Sequence, residues 1–385
     1  MNLQEIKNIL REKFPFLYDV LLSIRKFPLR IFVWRRLMAV RKAQQGISVL
    51  YLTEEFPAPP PTRREYAHGG TVKMTFLAET FFHSFPSANL LYTVSSVGHR
   101  FSPQIVKEAK RKGLKVVVNQ NGVAYPAWHG EGWEKTNQPM RKALEQADYV
   151  IYQSDFCRQS ANHFLISPEA GWEILFNPVE TQLFKPLPSN HNTKAFTLIL
   201  GGNQYERYRF EMAIVALKEV VKQHPDARLI VTGKLWDPDP GTEEWVRTYL
   251  NQSGLFEKVE FTGPYTQQEA PEILNKGHIL LHTKFNDPCP SIVIEALSCG
   301  LPVVYLDSGG TPELVGEAGV GVPVQTSWEK NELPAPKLIS DAVDVVMDNH
   351  EEYSQAARQR AMDVFTLEKY VQAHYRIFEK LLDAK

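Results

Sequence analysis

Cysteine is scarce in this chain, three in 385 residues. Cys157, Cys289 and Cys299 are odd in number and lie far apart, without metal-ligand spacing. They build neither a disulfide framework nor a metal site, and a reducing compartment is expected. Net charge is also lacking. A formal charge of -1 leaves no basic excess to neutralise phosphates, so nucleic acid is not an expected partner. Long apolar runs are missing as well. No stretch of 18 uncharged apolar residues occurs, so no bilayer-crossing helix is expected. The opening MNLQEIKNIL contains Glu5 and no apolar run before a small-residue cleavage site, so no secretory leader is expected. What is present is 43% hydrophobic and 23% charged residues, the composition of a soluble globular protein too long for one core.

The balanced total conceals an uneven distribution. Residues 1–46 hold ten basic and three acidic side chains, a surplus of seven positive charges, so the remainder carries eight negative ones. Among them stand Phe14, Phe16, Phe27, Ile31, Phe32, Val33, Trp34 and Leu37. A cationic, aromatic segment of this kind either lies in the interface of an anionic membrane or packs its apolar face on the protein body. The expected location is cytoplasmic, with the inner membrane face as the peripheral option.

Beyond residue 46 strand and helix patterns alternate. Strands are expected at 46–56, 90–98, 114–123 and 172–180, helices over 68–81 and 101–113, and a strand followed by a helix within 147–165. A polar, proline-bearing linker over 181–194 leads to a second alternation. Its strands fall at 195–203, 227–233, 258–263, 278–283 and 301–307, and its helices at 209–225, 267–277 and 291–300. Helices at 337–350 and 367–384 close the chain. The reading is α/β, two Rossmann-like domains whose parallel sheets face each other across a cleft. The boundaries are a basic extension 1–46, an acceptor domain 47–185, a donor domain 186–365 and a final helix 366–385.

The chemistry concentrates in HTKFNDPCPSIVIEALSCGLPVVYLDSGGTPEL, residues 282–314. A strand ends, a loop carries Asp287, and Pro290–Ser291 opens a helix holding Glu295, with Ser291 as N-cap or first-turn residue. The first amides of that helix, those of Ser291, Ile292 and Val293, are expected to be free donors backed by the helix dipole, which suits a diphosphate. Carboxylates at 287 and 295 suit vicinal hydroxyls at the two ends of an elongated ligand.

These residues resemble glycosyltransferase family 4, retaining enzymes of the GT-B fold. Their mark is a pair of acids eight apart before a Glu-Ala-Leu-x-Cys-Gly-x-Pro-Val run, here EALSCGLPVV over 295–304 followed by SGGTPELV over 308–315. Similarity extends to the HGG loop 68–70, ADYVIYQS, NPVETQLFKP and GPYTQQE. The resemblance implies that Glu295 binds the nucleotide ribose and Asp287 the transferred sugar. The family usually has Glu at the latter position, so the shorter Asp leaves the sugar open. It also implies cations after the first strand of the second domain. Gly202–Asn203 replaces the usual Gly-Arg, so Arg207 and Arg209 are the candidate diphosphate clamps, with Lys284 a further cation and Lys234 a weaker one. Gly69 and Gly70 match the family's glycine loop. Where many relatives have His at a strand end, Asn119 and Asn121 stand here, and His129 is an acceptor-side candidate or a loop residue. Tyr125, Trp128 and Trp133 either stack on sugar or anchor the loop.

The implied mechanism is retention by front-face attack, with the leaving phosphate taking the acceptor proton. It agrees with the lack of a Ser-His-Asp or Cys-His constellation. No Asp-x-Asp motif ends a strand, so no metal or cofactor is expected beyond the nucleotide-sugar co-substrate. The expected partners are that donor, a glycan or lipid-linked acceptor, and an anionic membrane surface. The alternative is a catalytically silent nucleotide-sugar-binding or scaffold protein of the same fold.

Overall fold

The computed structural model describes residues 31–62, 69–99, 101–187, 196–236, 240–325 and 327–383. Most of the basic extension and His68 of the glycine loop lie outside the described residues. Two parallel sheets organise the rest. The first contains β2 (Val49–Leu52), β4 (Leu90–Val94), β5 (Lys115–Gln120), β6 (Tyr149–Tyr152) and β7 (Gly171–Ile174), paired in that order. A two-residue pair, β1 (Arg41–Lys42) with β3 (Ser87–Ala88), sits beside it. The second contains β8 (Thr197–Leu200), β9 (Arg228–Thr232), β10 (Val259–Gly263), β11 (Ile279–His282), β12 (Val303–Leu306) and β13 (Gly319–Val322). Its spatial order is β10-β9-β8-β11-β12-β13. Residues of β2, β4, β6, β8, β11 and β12 are buried throughout. That is why these segments read as continuous apolar runs, since helices cover both sheet faces.

The order of the second sheet positions the site. The chain enters at β8, works outward through β9 and β10, then returns to place β11 on the other side of β8. Loops leaving the carboxyl ends of β8 and β11 therefore run in opposite directions and leave a crevice between them, where open α/β sheets hold ligands.

The last helix, Leu367–Asp383, buries Tyr370, Ala373, His374, Ile377, Phe378 and Leu381. This stripe has helical period and packs with Val49, Tyr51, Tyr92 and Val94 of the first sheet. The chain thus crosses back to its first domain. The two passages lie side by side, Val179 N–H donating to Phe365 C=O at 2.8 Å. Val179, ahead of the expected linker, and Phe184, within its 181–194 span, already pack in the second core.

Three of the longer helices come from segments given no element in the sequence: Trp133–Leu144, Pro240–Ser253 and His350–Val364. The first carries Pro139 in its interior, a residue that ordinarily argues against a helix. The last buries fully only Ala357 and Ala361, so its apolar stripe is two small side chains wide. Substitution Phe378→Ala, at a fully buried position, is expected to cost about 3–5 kcal/mol in urea denaturation through the cavity left between helix and first sheet.

Candidate active site

At the end of β8 the chain turns through Gly201–Gly202–Asn203–Gln204. Gln204 is fully buried. Its side-chain amide donates to Gly202 C=O at 2.7 Å, and its backbone N–H donates to Lys234 C=O at 2.7 Å. The Asn203 side-chain oxygen accepts the Lys234 N–H at 2.8 Å. The turn is therefore tied to the end of β9.

Helix Arg207–Gln223 follows, with Glu206 as its N-cap. Arg207 and Arg209 are two residues apart, about 200° around the helix, and the structure separates them. Arg207 is outward: it pairs with Glu211 at 2.9 Å and lies 3.6 Å over the Trp245 ring, away from the crevice. Arg209 belongs to the buried stripe, at 4% exposure. Its guanidinium donates to Asn203 C=O at 2.7 Å and Gly201 C=O at 3.2 Å. Burial lowers its pKa, and the Asp287 carboxylate is the largest influence against that.

Asp287 comes from the loop after β11. It is 8% exposed and lies 3.1 Å from Lys284 Nζ and 3.4 Å from His282 Nε2. Burial alone would raise its carboxyl, but Lys284 and His282 outweigh burial and hold it well below the usual carboxylate range. Asn286, just before it, has φ +49, a left-handed conformation uncommon for a side-chain-bearing residue. Its N–H donates to Ser308 Oγ at 3.0 Å.

The helix Ser291–Ser298 then begins, with Ser291 in the second of its two expected places and one difference from the sequence reading, at Val293. Pro290 is the N-cap and Ser291 the first helical residue. The Val293 amide is not free, since it donates to Pro290 C=O at 3.1 Å. The amides of Ser291 and Ile292 meet no protein acceptor among the described residues. One turn on, Glu295 is partly exposed, and burial raises its carboxyl to about 7 against the opposing hydrogen bond from Gln267.

The same loop is wedged against the first domain. Ser154 Oγ donates to Pro288 C=O at 2.7 Å, and Asn177 donates its side-chain amide to Cys289 C=O at 3.1 Å. A Cβ on Gly310 would stand 2.2 Å from Pro288 O, so only glycine admits that approach. Glu313 reaches across and accepts the N–H groups of Asp155 and Phe156 at 2.7 and 2.9 Å. It thereby serves as the anionic cap of the first domain's helix Asp155–Phe164.

On the first domain, Gly69 and Gly70 open helix Gly69–Thr80. A Cβ on Gly70 would meet Ser96 Oγ at 2.6 Å and Val97 Cγ2 at 2.7 Å. Asn121 bonds Ser95 at 2.9 Å and also Ser96, so Gly70, the two serines and Asn121 form one surface at the strand ends. Asn119 is buried beneath, accepting from Lys73 at 3.2 Å and Gln153 at 3.1 Å. His129 is exposed and bonds Thr136 at 2.9 Å, and among the described residues no contact joins it to the Asp287 cluster. Of the three aromatics, Tyr125 is buried, while Trp133 packs edge-on against Phe164. Both anchor the loop. The three thiols are buried. Burial pushes Cys157 and Cys299 up to about 12 and Cys289 upward as well, so none is a poised nucleophile.

The structure thus gathers Arg209, Lys284, Asp287, Gly202, Ser291 and Ile292 around the β8–β11 crevice, with Glu295 one turn along the helix. Arg207 and His129 lie apart. His282, Glu313 and Gln267 escaped the sequence reading although each stands in a motif quoted from it. Their roles depend on contacts between segments distant in the chain.

Two parallel sheets of this kind, each crowned by loops meeting at a shared crevice, define the GT-B fold. Residues 183–360 match the family model described as glycosyl transferases group 1. The chain is 24% identical over 213 residues to the phosphatidylinositol N-acetylglucosaminyltransferase gpi3 subunit of Schizosaccharomyces pombe, covering 54% of this chain and 44% of that one. To the corresponding Homo sapiens phosphatidylinositol N-acetylglucosaminyltransferase chain it is 24% identical over 249 residues, covering 62% and 50%. It therefore spans about half the length of these curated relatives. Among solved structures, Anabaena Alr3699/HepE in complex with UDP-glucose superposes with a TM-score of 0.65 at 14% identity, over 88% of this chain and 100% of that one. Sucrose-phosphate synthase of Thermosynechococcus elongatus superposes at 0.62 and 16% identity, over 82% and 79%. Together these matches show the GT-B fold.

The raised Glu295 carboxyl sets a sign. Between the ordinary carboxyl range near 4.5 and about 7 the folded chain binds the proton more tightly than the unfolded one, so stability falls as pH rises through that window. Glu295→Gln is expected to flatten this part of the pH–stability curve, measured by denaturation at pH 5 and pH 8. An unchanged slope contradicts the burial of that carboxyl.

Proposed function

We propose that this protein moves a hexose-type sugar from a nucleotide-sugar donor to a glycan or lipid-linked acceptor, with retention of anomeric configuration. The observation that carries the reading is the convergence, at the carboxyl ends of β8 and β11, of buried Arg209 with Lys284 and Asp287, beside the unclaimed amides of Ser291 and Ile292. Cation and amides suit a diphosphate, Glu295 suits ribose hydroxyls, and Asp287 suits hydroxyls of the donor sugar. Relatives bear on the two substrates: a neighbouring structure holds UDP-glucose, and curated relatives bear the name phosphatidylinositol N-acetylglucosaminyltransferase.

In the proposed reaction the acceptor hydroxyl attacks the anomeric carbon from the face the phosphate leaves, and the departing phosphate oxygen takes the hydroxyl proton. Arg209, Lys284 and the helix amides stabilise charge growing on that oxygen. Gly70 and Asn121 face the acceptor side. No metal or cofactor enters the proposal. One observation favours a second reading, a nucleotide-sugar-binding scaffold: the Asp287 carboxylate is already paired with Lys284 and His282. Release of free sugar or a glycosylated product from a sugar nucleotide separates enzyme from scaffold.

A calorimetric panel of sugar nucleotides is expected to find a donor. Glu295→Ala is then expected to weaken it about 10- to 100-fold, the cost of losing hydrogen bonds to a charged group. Undiminished affinity in that variant sinks the site assignment.

We further propose a peripheral place on the cytoplasmic face of a membrane. Residues 31–40 are supported by Val33, Leu37 and Val40, buried in the first core. They expose Ile31, Phe32, Trp34 at 61% and Met38 beside the exposed Arg35 and Arg36. An apolar and cationic outer face over an anchored inner one suits anionic lipid. Flotation with phosphatidylglycerol vesicles is expected to carry the protein and to fail for a Trp34→Glu, Arg35→Glu, Arg36→Glu variant. Equal flotation of the two removes the support for this location.

A further inference from the structure

Ser327 and Trp328 follow β13 in the second domain, yet Trp328, partly buried, packs on the core of the first. Its ring centroid lies 5.0 Å from Tyr125, 5.3 Å from Phe156 and 5.2 Å from Phe164. Its carbonyl accepts the Ala127 N–H at 2.8 Å. One residue earlier, Ser327 C=O accepts the side-chain amide of Asn286 at 3.3 Å. Asn286 is the left-handed residue that immediately precedes Asp287. A left-handed conformation at a residue other than glycine persists only where its surroundings over-determine it. Here those surroundings include a strap whose anchor is a pocket of the opposite domain.

We propose that Trp328 is a positioning residue: seated in the Tyr125–Phe156–Phe164 pocket, it holds Asn286 and thereby aims Asp287 at the donor sugar, so that the sugar-reading carboxylate is set only when the two domains are together. The ring touches no reacting atom and acts through Asn286. Most diphosphate contacts do not pass through the strap: Arg209 is fixed by Gly201 and Asn203, the helix amides are fixed by the backbone, and only Lys284 sits in the strapped loop beside Asp287. The strap therefore governs recognition of the sugar more than that of the nucleotide. This inference rests on the reading that Asp287 addresses the sugar, and its test has one arm free of that reading.

In the full-length chain, Trp328→Ala is compared with Trp328→Phe, which keeps an aromatic ring in the pocket. Without ligand, backbone amide exchange over residues 283–290 is expected to accelerate about tenfold in Trp328→Ala, with β8 and β11 unchanged, as in local opening. With UDP and UDP-glucose as calorimetric probes, UDP affinity is expected to stay within about twofold while UDP-glucose weakens about tenfold. Trp328→Phe is expected to keep most of both properties. Should Trp328→Ala fail to fold by circular dichroism, Asn286→Ala, which leaves the ring seated, must give the same split. Unchanged exchange over 283–290, or equal weakening of UDP and UDP-glucose, overturns the proposal. Should UDP-glucose not bind, the same comparison is made with GDP and GDP-mannose; a wild-type chain that binds no sugar nucleotide of the calorimetric panel refutes the donor reading instead, and the exchange arm still decides whether Trp328 holds the loop.

Discussion

A guanidinium buried as deeply as that of Arg209 must have its charge answered inside the protein, because the cost of removing it from water is several kcal/mol. Two backbone carbonyls of the turn after β8 answer part of it, and the Asp287 carboxylate of the loop after β11 answers more. One side chain thus binds together the two loops that diverge at the switch point of the second sheet. Asp287 in turn draws on Lys284 and His282. The cluster is a small electrostatic framework in which a change in one member moves the charge state of the rest.

That framework extends across the crevice through a single loop. Pro288 and Cys289 offer their carbonyls to Ser154 and Asn177 of the first domain and its exit strand. Glu313 closes the amino end of a first-domain helix, and Trp328 fills an aromatic pocket. A hydroxyl, a carboxamide, a carboxylate and an indole each take a partner from the opposing domain. Relative domain motion is the ordinary expectation for a chain of two such units, and here it must exchange these contacts for water.

Much of the architecture was legible because parallel strands covered on both faces leave unbroken apolar runs, as at Val49–Leu52 and Leu198–Leu200. The crevice itself followed from Asp287, Pro290 and Glu295, whose spacing is local. The two arginines show where a finer reading was available: two positions on one helix point to opposite sides, and only Arg209 shares the stripe of Ala213, Ala216 and Val220. The engaged amide of Val293 was hidden because a Pro290 cap turns its own carbonyl back into the first turn. His282, Glu313 and Trp328 were beyond reach for another reason. Each acquires its role from a partner brought close only by the tertiary fold, and no periodicity in the sequence records that.

The closing helix has a consequence for how the molecule comes into being. Ile377, Phe378 and Leu381 complete a face of the first sheet, though the ribosome makes them roughly two hundred residues after β7 (about 10–40 s at ordinary synthesis rates). Until then Val49, Tyr51 and Tyr92 have only partial cover on that side, from Met74, Leu77 and Phe81. The earlier half of the chain must wait, partly open, for the later half to emerge, and chaperones would have their longest opportunity on that apolar face.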